Sequence, residues 1–298
     1  MNRHNLNSIY FNKVNTIIKN MKVLIVQTKR GIGDGIIFLP YIVAISKKLK
    51  TPVSLLTRAS TRSNELVGNN PHINEIIILD RDDKNNYGRH FGFMGALNLI
   101  KDLKEKKFDK SYAFNSSFRY AFITKISGIK ECHNYTLGKK KNQNIIEAAN
   151  SFVFKNLGEK VESNPQLFVE EKKIIEAKNK FKMNNETKHI LLGVGGSGPT
   201  KRVPAEKFIE FINMLNKDKK CMYYLAAGSG NEEQEIVNKI ISSENKNNCI
   251  ELNKMNLIEI LPIIKNCDLA VCNDTSFSHI SAALSIKTLV LMTDTPLL

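Results

Sequence analysis

The sequence predicts an α/β protein built of two Rossmann-like halves, each a parallel sheet covered by helices on both faces. Three observations carry this. Short continuous apolar runs such as VLIV, EIIIL and HILLGV are rich in β-branched residues and too short for buried helices. Amphipathic segments separate them, which is the signature of βαβ units. The alternation lapses near residue 160 and then restarts, so one chain of 298 residues holds two such domains.

The elements follow in order. KVLIVQT (22–28) is a strand and 35–49 a helix; PVSLLTR (52–58) is a strand, 61–69 a helix, and EIIILD (75–80) a strand. Residues 94–106 read as a helix, KSYAFN (110–115) as a strand and 144–158 as a helix. ESNPQLFVEE (162–171) has an Asn-Pro step and no periodicity, so it is a connector. After a lysine-rich helix near 170–183, HILLGVG is a strand, 204–217 a helix and CMYYLAAG a strand. Pro204 suits a first helical turn through its fixed φ and missing N–H. NEEQEIVNKIIS is a helix, with Asn231 expected as its cap and Gln234 completing a capping box. CIELN, NLIEILPIIKNC, DLAVCND, TSFSHISAALS and TLVLM finish the run. The expected division is an extension over 1–20, one domain over 21–160 and a second over 161–298.

Composition narrows the classes. Hydrophobic residues make up 42% and charged residues 24%, as in a soluble globular protein, and no apolar stretch is long enough to span a membrane. The first 20 residues lack a signal-peptide core and read as an extension preceding Met21; a weak amphipathic anchor is the rival reading. Five cysteines, an odd number without a CxxC pair, argue against a disulfide framework or a zinc site and fit a reducing cytoplasm. The net charge of +15 rests mostly on lysines spread over predicted helix surfaces. Nucleic-acid binding would bring arginine and aromatic clusters on one face, so it is not expected; most of the charge reads as a solvated exterior, with an anionic membrane surface bearing the substrate as a further attractive partner.

Ligands on such sheets bind beyond the carboxyl ends of strands. Two facing halves would therefore enclose a cleft lined by four loops. In KRGIGDGIIFLP (29–40), GIGDG matches neither a dinucleotide fingerprint nor a phosphate loop. Asp34 there is either an N-cap or a general base. In GVGGSGPTKRVP (193–204), Gly195, Gly196, Ser197 and Gly198 offer backbone N–H groups, Lys201 and Arg202 add charge, and a helix start follows; together these favour a diphosphate. In AAGSGNEEQE, Glu232 or Glu233 either complements the helix dipole or accepts from ribose hydroxyls. In CNDTSFSHISAAL, Asp274, Thr275, Ser276, Ser278 and His279 crowd polar groups where a buried strand stops, as a second anion and sugar contact. Arg58, Arg62 and Arg119 suit an anionic acceptor or plain surface charge equally well. Asp80-x-Asp82 in LDRDD imitates a metal-binding pair but reads as a solvated loop, and Cys272, Asp274 and His279 fit no tight metal site.

In this order the loops resemble those of glycosyltransferase family 9, the lipopolysaccharide heptosyltransferases. VLIVQTKRGIGDGIIFLP resembles its opening strand and Gly-Asp turn, with Pro40 after Asp34. NPHINEIIILD, FDKSYAFNSSFRYAFITKISGIK, GSGPTKRVP and NDTSFSHISAAL resemble later family segments, nearly spanning 21–298. Val203 stands where the family usually has Trp, and Ser276 where it usually has Gly. The chain ends at TDTPLL, short of a closing Gly-Pro-Thr-x-Pro loop and helices. The resemblance implies a GT-B fold and inverting, metal-independent sugar transfer from a nucleotide diphosphate donor, typically ADP-heptose, with no cofactor. It implies an anionic glycan or glycolipid acceptor and a cytoplasmic place, peripheral on the inner membrane. Carried over, Asp34 is the base, with Gly33 beside it toward the acceptor; Lys201 is a donor phosphate ligand, Glu232 a ribose contact and Met255 a wall for the base of the nucleotide. Asp274 through His279 would meet the donor sugar and diphosphate. A nucleotide-sugar epimerase or hydrolase of the same fold, and a basic nucleic-acid-binding module, are the alternative functions.

Overall fold

The computed structural model describes residues 21–81, 88–138 and 144–293. The extension over 1–20, Asp82 of the LDRDD segment and the final 294–298 lie outside the described residues.

The expected alternation is present as two parallel five-stranded sheets. The first comprises β1 (Val23–Val26), β2 (Val53–Arg58), β3 (Ile73–Leu79), β4 (Lys110–Ala113) and β5 (Glu131–Asn134). Its spatial order is β3-β2-β1-β4-β5, with Ile25 opposite Leu55 on one side and Tyr112 on the other. Its helices are α1 (Ile32–Leu49), α2 (Ser63–Val67), α3 (Gly92–Lys106), α4 (Phe118–Ile126) and α5 (Ile145–Leu157). After α6 (Glu171–Lys180) the second sheet comprises β6 (Lys188–Gly193), β7 (Cys221–Ala226), β8 (Cys249–Glu251), β9 (Leu269–Asn273) and β10 (Thr288–Leu291). Its helices are α7 (Ala205–Asn216), α8 (Asn231–Ile241), α9 (Leu257–Lys265) and α10 (Ser276–Ala283). The order β10-β9-β6-β7-β8 repeats that of the first sheet strand for strand. In each, the order reverses beside the first strand, between β1 and β4 and between β6 and β9, which is where such sheets receive ligands.

The chain divides into two compact units: 1–28, 41–59 and 71–161 form one, and 29–40, 60–70 and 162–298 the other. The segment carrying Asp34 and the one carrying Arg62 thus group with the second sheet. In the first unit, Leu24, Val26, Leu56 and Ala113 of the sheet pack against Leu99 and Leu103 of α3 and Ile123 of α4. In the second, Ile190, Leu192, Tyr223 and Leu225 pack against Phe208 and Ile212 of α7 and Val237 and Ile240 of α8. Val203, where an aromatic was expected, is half-buried against this second core.

Several local expectations change. The first helix begins at Ile32 rather than at 35, so Asp34 lies inside the first turn and is not its cap. Asn231 does not cap α8: Gly230 occupies that position without a side-chain bond, and the Gln234 amide donates to the Gly228 carbonyl instead. A capping box does form on α9, where the Asn256 side chain accepts from an N–H of the first turn and Glu259 accepts from the Asn256 N–H. Pro204 is the N-cap of α7, one position before its first helical residue. The sequence reading assigned neither α4 nor β5; ECHN (131–134) is an edge strand of polar, half-buried or exposed residues and carries no apolar alternation.

Candidate active site

At the carboxyl end of β6 the backbone is closely approached by its neighbours. A side chain at Gly193 would put Cβ 2.7 Å from Cys272 Sγ on β9 and 3.3 Å from Phe277 Cβ on α10, so glycine is what lets the Cys272 side chain lie against β6 there. Gly196 folds back on its own loop, where a Cβ would lie 3.1 Å from the Lys201 carbonyl oxygen. Pro199–Lys201 form a short 3-10 turn, and Arg202 N–H donates to the Pro199 carbonyl at 3.2 Å.

The neighbouring strand end fixes this loop laterally. Asn273, the last residue of β9, is fully buried, and its amide nitrogen donates to the carbonyls of Val194 (2.9 Å) and Gly195 (3.1 Å). Among the described residues its Oδ1 has no partner. One side chain thus ties the two switch-point loops together. Sequence reasoning quoted this residue inside its motif without giving it a role; the available signal was a polar residue closing an otherwise apolar strand.

The loop's charges are arranged in pairs. Lys201 Nζ donates to Asp274 Oδ2 at 2.6 Å, with both side chains half-buried. Arg202 donates to Glu232 at 3.2 Å, which leaves the Glu232 side chain 73% exposed. Glu233 is the acid that enters the glycine loop: its Oε1 accepts the Gly196 N–H at 2.5 Å, and a Cβ on Gly195 would lie 2.7 Å from it. Ser197 is exposed and Gly198 half-buried in the same loop. Met255 is half-buried in the turn between β8 and α9, where its N–H donates to the Leu252 carbonyl at 3.0 Å.

On β9's other flank, Thr275 caps α10 with extended backbone and Ser276 opens the helix. Ser278 is buried, and its hydroxyl donates to the Thr275 carbonyl at 2.6 Å. His279 presents its ring to the segment 29–40. A Cβ on Gly33 would lie 2.8 Å from His279 Cδ2 and 3.1 Å from Nε2, so the imidazole rests directly on the backbone at Gly33. Asp34 follows in the same turn. Burial raises its pKa, while the charges of Lys29 and His279 pull it back down. Burial lowers the pKa of His279, against the opposing pull of Asp274 and Asp34, with Lys201 lowering it further. Asp34, His279, Asp274 and Lys201 therefore feel one another within the second unit. Both acids thus act on one imidazole whose charged form burial disfavours.

The three candidate acceptor arginines are placed differently. Arg58 Nε donates to the Thr28 carbonyl at 2.7 Å. Arg62, left-handed at φ 49°, grips Glu65 through two bonds of 2.7 and 2.6 Å, and Glu65 also accepts the Leu257 N–H at 3.1 Å. Arg119 donates to the carbonyls of Gly92 (2.7 Å) and His90 (2.9 Å), tying α4 to the start of α3. Among the described residues no group of three or more His, Cys, Asp or Glu is arranged to hold a metal ion.

Residues 96–297 match the model of glycosyltransferase family 9 (heptosyltransferase), a range that takes in the 193–204 and 272–284 loops but starts after Asp34. Lipooligosaccharide heptosyltransferase 2 of Campylobacter jejuni is 27% identical over 275 residues, covering 91% of this chain and 81% of that protein. The E. coli ADP-heptose lps heptosyltransferase II superposes with a TM-score of 0.69 at 20% identity, covering 91% of this chain and 84% of the other. E. coli heptosyltransferase WaaC, solved with ADP-2-deoxy-2-fluoro heptose, gives 0.68 at 17% identity, covering 93% and 90%. The structural likenesses establish the fold, two Rossmann-like domains of the GT-B type. With more than half of its length matched by the family, the chain belongs to glycosyltransferase family 9, the heptosyltransferases, and is a transferase enzyme.

Proposed function

We propose that the chain moves a heptose-like sugar from an ADP-linked donor to an anionic lipopolysaccharide-type acceptor, with inversion at the anomeric carbon and without a metal ion. The observation that carries this reading is the packing of His279 on the backbone at Gly33, one residue before Asp34, while its helix opens beside the Lys201–Asp274 pair. The turn that holds the proton acceptor is thus packed on the helix that follows Asp274, the partner of Lys201.

In this reading Asp34 takes the proton of an acceptor hydroxyl as that oxygen attacks the anomeric carbon from the face opposite the diphosphate. Burial makes the carboxylate a stronger base than a solvated one. The neutral His279 ring fixes the backbone at Gly33 and so the turn that aims Asp34. The departing diphosphate gains charge, which Lys201, backbone amides of the 195–198 loop, once the Gly196 N–H exchanges Glu233 for the phosphate, and the first turn of α10 stabilise. Asp274 holds the ammonium of Lys201 in place before the donor arrives. The likeness to a protein solved with ADP-2-deoxy-2-fluoro heptose supports the choice of ADP. The name of the Campylobacter relative supports the heptose and the acceptor class. The same reading puts the enzyme on the cytoplasmic side of the membrane that carries the acceptor.

A thermal-shift series with ADP, UDP, GDP and ADP-heptose on wild type and Lys201→Ala tests the donor side. ADP is expected to stabilise the wild type, and the variant to bind it about 10- to 100-fold more weakly, the effect of one charge-assisted contact. Stabilisation by UDP alone, or equal ADP affinity in both proteins, refutes the assignment. Incubation with ADP-heptose and no acceptor separates transfer from isomerisation or hydrolysis; rapid loss of intact donor would favour the epimerase or hydrolase alternative.

A further inference from the structure

The first unit carries an apolar surface that the chemistry above does not use. Helices α3 and α4 lie side by side on one face of its sheet, and their inward residues Ala96, Leu99, Leu103, Tyr120 and Ile123 fill the core. Their outward residues would be polar on an ordinary surface helix. Instead Phe93 is 77% exposed, Met94 67%, Phe118 67% and Phe122 56%, with Leu97 and Ile126 continuing the two stripes. The spacings 93–97 and 118–122–126 each follow one helix face, so the side chains form two adjacent ridges. Isolated exposed apolar residues need no explanation, but a contiguous aromatic patch does.

The same stripes continue into positive charge. Lys101 lies one turn beyond Leu97, Lys104 follows it, and Lys125 adjoins Ile126; all three are exposed. Among the described residues none of them forms an ion pair, whereas Asp102, the nearest acid on α3, is engaged by Arg89 and His90. Glu105 is the one exposed acid on these helices. A second copy of a chain with a net charge of +15 would be repelled by this lysine border. Phenylalanine and methionine ridges edged by lysine match the boundary of an anionic bilayer, where rings enter the headgroup region and ammonium groups meet lipid phosphates. No helix among the described residues is long and apolar enough to cross a membrane, so such a contact would be an interfacial one.

We propose that the outward face of α3 and α4 docks the enzyme on an anionic phospholipid surface, with Phe93, Met94, Phe118 and Phe122 inserting and Lys101, Lys104 and Lys125 contacting headgroups. The test is co-sedimentation of the full chain with vesicles of phosphatidylcholine alone and of phosphatidylcholine mixed with phosphatidylglycerol. Wild type is expected to sediment with the mixed vesicles only. Phe93→Ser/Phe118→Ser/Phe122→Ser and Lys101→Glu/Lys125→Glu are each expected to lower the bound fraction by about tenfold. ADP-induced thermal stabilisation, measured in parallel, shows that each variant is folded. Three results overturn the proposal: wild type remains in the supernatant; the phenylalanine variant binds like wild type while the lysine variant does not; or wild type is a dimer by analytical ultracentrifugation that the phenylalanine variant converts to monomer.

Discussion

Gly33→Ala is the sharpest probe of how the base is aimed. The new Cβ would stand 2.8 Å from His279 Cδ2, 3.1 Å from Nε2 and 3.5 Å from Cγ. Carbon atoms in contact prefer about 3.5–4.0 Å, so the ring or the turn must retreat by roughly 0.7–1.2 Å. Overpacking of this kind costs about 1–3 kcal/mol. Alanine's helical preference over glycine, about 1 kcal/mol, offsets part of that in a first helical turn. Gly35→Ala supplies the control, because its Cβ meets Thr61 at ordinary distances, 3.6 Å to Cβ and 4.0 Å to the carbonyl oxygen, and gains the same preference. The difference in unfolding free energy between the two variants, by urea titration, therefore isolates the overpacking, about 1–3 kcal/mol against Gly33→Ala. A displacement near 1 Å in a catalytic group costs about 10²-fold in rate, so kcat/KM for ADP release with acceptor present is expected to drop by that order in Gly33→Ala and hardly at all in Gly35→Ala. Equal stability and equal turnover in the two variants would show that the glycine–imidazole contact does not position Asp34.

Asp34→Asn is expected to keep ADP-induced stabilisation and lose about 10²–10⁴-fold in turnover. Because folding raises the Asp34 pKa, the stability linked to its protonation is present below the ordinary aspartate pKa and is lost as pH rises through the folded value. Wild type should accordingly be less stable than Asp34→Asn at neutral pH, with the gap closing as pH falls; a gap that widens in acid contradicts the burial argument. Asn273→Ala removes the donor shared by the Val194 and Gly195 carbonyls and is expected to cost about 1–3 kcal/mol by urea titration and to weaken ADP stabilisation, whereas an unchanged ADP response would make Asn273 a packing residue only. Arg119→Lys loses the fork that spans the His90 and Gly92 carbonyls; the midpoint of thermal unfolding should fall while the acceptor KM stays at the wild-type value, and a selective rise in that KM would restore Arg119 as an acceptor ligand.

The sheets were legible because a continuous apolar run between amphipathic stretches has few other interpretations, as VLIV and HILLG show. The loops beyond β6 and β9 were legible because glycines, small hydroxyls and charges cluster where buried strands stop. Partners across the fold were not. Glu232 and Glu233 are consecutive in sequence, yet the helical phase of α8 turns one outward to Arg202 and the other into the glycine loop, and a one-dimensional pattern does not reveal that phase relative to a neighbouring loop. Asn273 escaped notice for a similar reason: its bonds depend on β9 lying next to β6, a lateral adjacency set by sheet order. Arg119 carries the same charge whether it faces a ligand or two carbonyls, so residue type alone left its role open. The strand β5 was hidden because a short polar edge strand obeys neither period.

The repeated strand order makes the turn after β1 and the turn after β6 counterparts, each leaving the founding strand of its sheet. Both stretches are rich in glycine and lead to a helix, whose exposed amide ends favour negative charge. One version of this architecture carries an aspartate within its own turn; its twin carries a lysine and an arginine, each paired with an acid borrowed from a neighbouring loop. A repeated scaffold thus presents opposite charges at equivalent turns through a few side chains, with the strand order unchanged.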